Sequence, residues 1–310
     1  MKNVLKKMLP RAIYNFLRNR PKLVLLNSHL YQKISKINNT SLHEDPDDRG
    51  DTLGILRKQA HIIDKGLQTN NRKPGHSASL AIALEKNLNS TNKVQSSSET
   101  AIWAKEILNL HTRLQSSDLT SEEYNNFPYI FNNKIPFENL FSAIQERRSI
   151  RHFKDTVPDI NTIKKALLGC IWAPSSCNRQ TIVTYLATTT ALAKECSTLN
   201  KGATSISGSY LFISVCFDSR SYHLPHESLT GYIDASLGFQ NSLLLFHSLG
   251  LGACVLNWSH ANKTEESSLR RALKIPSHCE IAFNVIVGLP EQGAPTPGKK
   301  SLAEYIVERK

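Results

Sequence analysis

Arg147-Arg148-Ser149-Ile150-Arg151-His152-Phe153 sets three guanidinium groups and a hydroxyl within five residues, where a helical pattern over 137–147 closes. Guanidinium groups match phosphate oxygens bidentately, so the segment suits an anionic ligand. Taken alone, a solvated charge run reads the same way. One helix further on comes Ala173-Pro174-Ser175-Ser176-Cys177-Asn178-Arg179-Gln180, a turn opened by its proline. Nothing in the sequence supplies Ser175 or Ser176 with a base, so nucleophilic chemistry by either serine is unsupported. The third stretch, Asp234 to Leu249, is apolar almost all round through Leu237, Phe239, Leu243, Leu244, Leu245 and Phe246. Such a helix is buried on most sides, in a core or in a dimer interface. Gly250-Leu251-Gly252 ends it.

Working outward, Asp159 reads as the N-cap of a helix with Ile163, Ala166, Leu167, Cys170 and Ile171 on one face. Residues 181–188, 210–217, 253–257 and 281–287 are rich in β-branched and aromatic side chains and read as strands. Helices and strands therefore mix from Pro136 onward, an α+β or layered α/β pattern. Upstream, helical patterns cover 53–66, 77–88 and 99–114, separated by polar stretches at 69–78 and 89–98. The expected division is a basic, helical N-terminal extension over 1–130 and a mixed helix-and-strand body over 137–310.

The 310 residues are 40% hydrophobic and 21% charged, which argues against a disordered, collagen-like or coiled-coil chain. No apolar run approaches the roughly 18 residues that span a bilayer, and no standard secretory signal opens the sequence. The net charge is +12, and nine Lys/Arg with no acid fall within residues 1–43. The rest is nearly balanced, unlike a nucleic-acid enzyme with a basic working groove, so no nucleic-acid partner is expected. The basic arm carries Val4, Leu5, Met8, Leu9, Ala12, Ile13, Phe16 and Leu17 at helical spacing, interrupted by Pro10. Its stripe either packs on the body or, over residues 4–20, lies on an anionic membrane surface. A mitochondrial presequence is the third reading.

Six cysteines without a C-x-x-C pair speak for free thiols in a reducing cytoplasm. Gly293 to Lys300 imitates a phosphate loop, but Lys300 replaces the hydroxyl, and Pro295 and Pro297 remove backbone donors. His223 and His226, with Glu227 adjacent, are read as surface residues rather than metal ligands. No G-x-S-x-G elbow, paired acid motif or H-E-x-x-H is present.

In this order and spacing, the arginine segment, the Pro-Ser-Ser turn, the long helix with its Gly-Leu-Gly exit, and Val287-Gly288-Leu289-Pro290 resemble the FMN-dependent nitroreductase family. The resemblance covers roughly 137–310. It implies an α+β fold with a central, mainly antiparallel sheet flanked by helices, and a homodimer holding FMN at the subunit interface. Arg147, Arg148, Ser149 and Arg151 match the segment that binds the FMN phosphate, ribityl chain and pyrimidine edge. Pro174, Ser175 and Ser176 match the segment that reaches the flavin from the partner subunit, with Asn178 and Gln180 as supports. Backbone N–H groups around Leu256, Asn257 and Trp258 match positions facing flavin N5 and its carbonyl edge. Lys299 and Lys300 match the late basic residues of the phosphate site.

The residue types agree with that chemistry. A phosphate needs cations, the ring needs an apolar wall, and the flavin carries the hydride, so no catalytic side chain is required. The resemblance thus implies an oxidoreductase passing hydride from NADH or NADPH to a nitroaromatic, quinone, enone or biosynthetic intermediate. The alternative is a membrane-surface accessory protein of a biosynthetic complex, such as one assembling polysaccharide, that keeps the fold. Two departures stand out. Thr181 replaces a common proline, and lysines stand where late arginines are usual. Arg57-Lys58-Gln59-Ala60-His61-Ile62-Ile63-Asp64-Lys65-Gly66-Leu67 resembles a helix of N-terminally extended members.

Overall fold

The structure, a computed structural model, describes residues 52–68, 74–116, 135–201, 203–222, 227 and 229–309. The basic arm with its expected helix at 4–20, the acidic stretch at 38–51, and His223 and His226 lie outside the described residues. Among the described residues, no helix is long and apolar enough to cross a membrane.

Three helices open the described chain: α1 (Thr52–Leu67), α2 (Ala78–Asn89) and α3 (Glu99–Gln115). Each is amphipathic, and together they bury Leu56, Ala60, Ile63, Leu84, Ala101, Ala104 and Ile107 in a core of their own. The side chain of Ser98 caps α3 by accepting from the Ala101 amide.

The body holds α4 (Phe137–Glu146), α5 (Ile160–Ile171), β1 (Ile182–Ala187), α6 (Thr190–Thr198), β2 (Leu211–Asp218), α7 (Thr230–Ser248), β3 (Gly252–Leu256), α8 (Lys263–Leu273) and β4 (Cys279–Gly288). The four strands form one antiparallel sheet in the order β1-β2-β4-β3. Every residue of β2 is buried, because helices cover both faces of the sheet. Leu211, Ile213 and Val215 meet α5 and α7 on one side, where Ile163, Ala166, Phe239 and Phe246 pack. Phe212 and Cys216 face α6 and α8 on the other, with Ala193, Cys196 and Leu269. The architecture is α+β, a mainly antiparallel sheet flanked by helices.

Asp159 caps α5 as its sequence indicates, accepting from the Thr162 amide. One residue departs from expectation. Ile171, placed on the buried face of α5, is 57% exposed beside Trp172 at 86%. The last turn of α5 turns that position away from the sheet, while Ile163 and Ala166 stay covered. All six cysteines are free thiols, four of them buried.

Candidate functional site

Two edges of the sheet carry the singled-out residues. At the β3 edge, α4 ends at Arg147, whose amide still bonds the Ala143 carbonyl at 3.2 Å. The chain then runs along β3, with Ser149 opposite Ala253 in a parallel bridge and the Ile150 amide donating to the Ala253 carbonyl at 3.1 Å. Only glycine at 252 allows this approach, since a Cβ there would stand 2.8 Å from Ile150 Cβ. Gly250, at φ +73, stops α7 with the Leu251 amide bonded back to the Phe246 carbonyl at 2.8 Å. That is the left-handed, 6→1 bonded helix end glycine favours.

The arginine segment and the helix exit enclose a cleft of about 480 Å³, lined among others by Arg147, Arg148, Leu243, His247 and Glu291. Arg148 donates to the carbonyls of Gln145 and Arg147, and through Nη2 to Thr296 Oγ1 at 2.9 Å. The Arg147 guanidinium has no hydrogen-bond or ion-pair partner among the described residues. Arg151 is exposed, and among the described residues its side chain bonds only the Ser149 carbonyl, at 3.5 Å. Two carboxylates share the cleft, of which Glu146 lies 3.8 Å from His247 Nε2. Lys299 and Lys300 are exposed, three and four residues past the Thr296 that Arg148 holds. The segment 293–300 is free of helix, unlike a phosphate loop, which opens one.

A second cleft of about 430 Å³ follows along α7 and β3, lined by Phe239, Gln240, Leu243, Val255, Leu256, Asn257 and Trp258 among others. Leu243 lines both, so the two abut. The Asn257 carboxamide accepts from the Ser259 amide at 3.0 Å, which shapes the strand end. Trp258 Nε1 is buried without a hydrogen-bond partner among the described residues. Under the arginine segment, burial pushes the Cys254 thiol up, against the pull of Arg151 and Arg147.

The Pro-Ser-Ser turn lies at the other edge, leading into β1. Ser176–Asn178 form a single 3-10 turn, and Cys177, Asn178 and Gln180 all take left-handed φ values of 51° to 52°. Each such non-glycine residue costs about 1–2 kcal/mol, so surrounding contacts must impose the shape. The Ser175 hydroxyl accepts from the Gln180 amide at 3.1 Å, and the Gln180 carboxamide donates to Asn178 Oδ1 at 2.9 Å. Both Asp234 carboxylate oxygens take the Ser176 amide, at 3.1 and 3.0 Å. Arg179, 0% exposed, bonds Ser176 Oγ at 2.9 Å, pairs with Glu227, and lies 5.2 Å from the Tyr222 ring. Tyr222 donates to Asp234 Oδ2 at 3.0 Å. Burial pushes the Asp234 carboxyl up, against the Ser176 amide, the Tyr222 hydroxyl and Arg179. Burial likewise pushes the Tyr222 hydroxyl up.

Within one chain these two sets do not meet. Asp234 sits in the first turns of α7 and Gly250 just past its end, about 24 Å apart at 1.5 Å per residue. Arg147 and Arg148 line the first cleft, and Leu256, Asn257 and Trp258 line the second, with Leu243 between them; Ser149 and Arg151 line neither. Pro174, Ser175, Ser176, Asn178 and Gln180 share the far edge. The sequence reading passes over Arg179, Tyr222, Glu227 and Asp234 as functional residues. An arginine inside a turn of small polar residues signals surface, and only the fold reveals a carboxylate 48 positions downstream.

Residues 144–207 match the model of the Nitroreductase family. A relative from Methanothermobacter thermautotrophicus, named as an NADH dehydrogenase/NAD(P)H nitroreductase, is 29% identical over 172 residues, 54% of this chain and 85% of its own. Among solved structures, a protein of the same name from Parabacteroides distasonis aligns at TM-score 0.49 and 25% identity, over 56% of this chain and 98% of that one. A nitroreductase from Desulfovibrio desulfuricans in complex with FMN aligns at TM-score 0.48 and 24% identity, over 57% and 99%. The family match begins just before the arginine segment and runs through the 174–180 turn into β1 and α6, so it is this stretch of the chain that is similar to the Nitroreductase family.

Proposed function

We propose that the chain is an FMN-dependent oxidoreductase that takes hydride from NADH or NADPH and passes it to a small planar acceptor. The observation that carries the reading is the Arg147 guanidinium, without a partner among the described residues, in a cleft that abuts a more apolar one along Leu243. The donor set fits the cofactor. Arg147 and Arg148, with Lys299 and Lys300 close behind, hold the phosphate by charge-assisted bonds. Phe239, Leu243 and Val255 supply the apolar wall of the ring. On this reading the backbone amides around Leu256, Asn257 and Trp258 serve the ring edge, and the Trp258 indole N–H, without a partner among the described residues, is a further donor there. The bound flavin supplies the two-electron chemistry, so the chain's own residues bind, orient and exclude water. The relative named as an NAD(P)H nitroreductase supports the same reductant.

The reading includes a homodimer. Ile233 and Leu237 on α7, and Ile171 and Trp172 at the end of α5, are exposed apolar side chains near the Pro-Ser-Ser turn. A second copy covering that face brings its own 174–180 turn to the groove of the first, joining the two half-sites that one chain keeps apart. The catalytic unit is residues 137–310.

The test is the spectrum of purified full-length protein, its uptake of FMN, and anaerobic bleaching of bound flavin by NADH and by NADPH. Flavin absorbance, bleached by one of the two, is the expected result. Protein that is colourless and takes up no added FMN refutes the proposal. Re-oxidation by a panel of nitroaromatics, quinones and enones then assigns the acceptor class.

A further inference from the structure

The strained 174–180 turn is fastened from two directions. From the body come Asp234 and Glu227, as described. From the N-terminal helices comes Arg57 of α1, whose Nε donates to the Arg179 backbone carbonyl at 2.7 Å. Its Nη1 donates to Thr100 Oγ1 of α3 at 2.9 Å, so one guanidinium ties two helices to the turn. Lys58, the next residue, lies 4.0 Å from the same Glu227 that pairs with Arg179. Arg179 is 0% exposed, so its carbonyl is a buried acceptor that needs a donor. In this chain that donor comes from outside the family-matched segment, 122 residues upstream.

We propose that Arg57 is a positioning residue for the cofactor site, and that α1 and α3 form a strut holding the Pro-Ser-Ser turn in its binding shape. This rests on the FMN reading given above. Three left-handed residues relax toward ordinary backbone once their external bonds are lost. Removing Arg57 orphans the Arg179 carbonyl, lets Arg179 shift within its pairing to Glu227 and Ser176, and frees Ser175 and Ser176 to leave the positions that face a bound flavin. The N-terminal helices are then a working part of the oxidoreductase site.

The experiment uses full-length protein and the variants Arg57→Met, which keeps the stem and loses the donors, and Arg57→Lys, which keeps one. Two readouts are taken. Amide hydrogen exchange over 175–181 is measured without flavin, and the FMN dissociation constant is measured by fluorescence quenching, with visible circular dichroism of the bound flavin. Arg57→Met is expected to lose protection over 175–181, to bind FMN about tenfold more weakly, as for one lost charged hydrogen bond, and to change the flavin dichroism. Arg57→Lys falls between, at about threefold. A purely structural role lowers thermal stability while leaving exchange and FMN affinity at wild-type values, and that outcome overturns the proposal. Looser exchange with unchanged FMN affinity also overturns it. Should Arg57→Met fail to fold, Arg57→Lys carries the same comparison. Wild-type protein that binds no FMN sinks the function reading and with it the strut's role in binding, whereas unchanged exchange in the variants sinks the strut alone.

Discussion

Adding one methyl at position 252 tests whether the arginine segment owes its place to the β3 edge. Gly252 sits where Ile150 crosses the strand, and an alanine Cβ would stand 2.8 Å from Ile150 Cβ and 2.9 Å from Cγ1 and Cγ2. Those atoms lie at the root of a nearly buried side chain whose own amide is bonded to Ala253, so the contact cannot be relieved by swinging a flexible end. Either the 147–151 segment lifts from the strand or β3 bends. Overpacking of this kind costs about 1–3 kcal/mol. In a protein of this size each kcal/mol lowers the melting temperature by about 2–4 °C. Gly252→Ala is therefore expected to melt about 5 °C lower in calorimetry and to bind FMN more weakly, because Arg147 and Arg148 move with Ile150.

A double-mutant cycle separates this from a general loss of strand quality. Ile150→Ala alone costs about 2–5 kcal/mol as a buried large-to-small change. It also removes both Cγ atoms that collide with the new methyl, so in the Gly252→Ala background it should cost less, with a coupling of about 0.5–3 kcal/mol. Strict additivity, or a Gly252→Ala protein with wild-type melting temperature and FMN affinity, refutes the claim that glycine at 252 seats the arginine segment.

Three further outcomes follow from the same geometry. Arg147→Ala should weaken FMN binding about tenfold or more with little effect on melting, since its guanidinium has no partner among the described residues; fluorescence titration reads this, and an unchanged constant counts against the phosphate assignment. Asp234 has a folded pKa raised by burial, so its stabilising contribution is complete below the unfolded value and is lost as pH rises through the folded one. The melting-temperature advantage of wild type over Asp234→Asn should therefore shrink from about pH 4 toward pH 7, and an advantage that grows with pH contradicts the burial argument. FMN affinity should fall on dilution below the dimer dissociation constant, measured by sedimentation beside fluorescence, because in the proposed homodimer each chain supplies half of each site; concentration-independent affinity of a monomer argues against the shared site.

Much of the body was legible because its signals are local. Asp159 followed by an apolar helical face fixes the start of α5, and β-branched runs place β1, β2, β3 and β4 to within a few residues. Gly250 marks the end of α7 because no other residue takes its φ as cheaply. Even α8 carries a local cue, the Asn262–Glu265 capping box. Strand order was not legible, since β4 inserts between β2 and β3 for reasons of packing across the whole sheet. Arg147 and Arg148 stood out in the sequence by their density, and both line one cleft. The left-handed turn at Cys177, Asn178 and Gln180 was not legible, because it contains no glycine and is bonded by Asp234 and Arg57 from distant parts of the chain.

That contrast separates the two half-sites physically. The arginine half is built from neighbours in sequence resting on a strand edge, so it can form whenever the sheet forms. The Pro-Ser-Ser half is held against backbone strain by groups drawn from α1, α7 and the stretch before it, so its shape depends on how well those elements are docked. Binding energy from a ligand that touches both halves would be spent in part on ordering the second. A chain that supplies its own strut to that turn lowers this cost before the ligand arrives. On the proposed strut, the N-terminal helices would raise affinity by preorganisation.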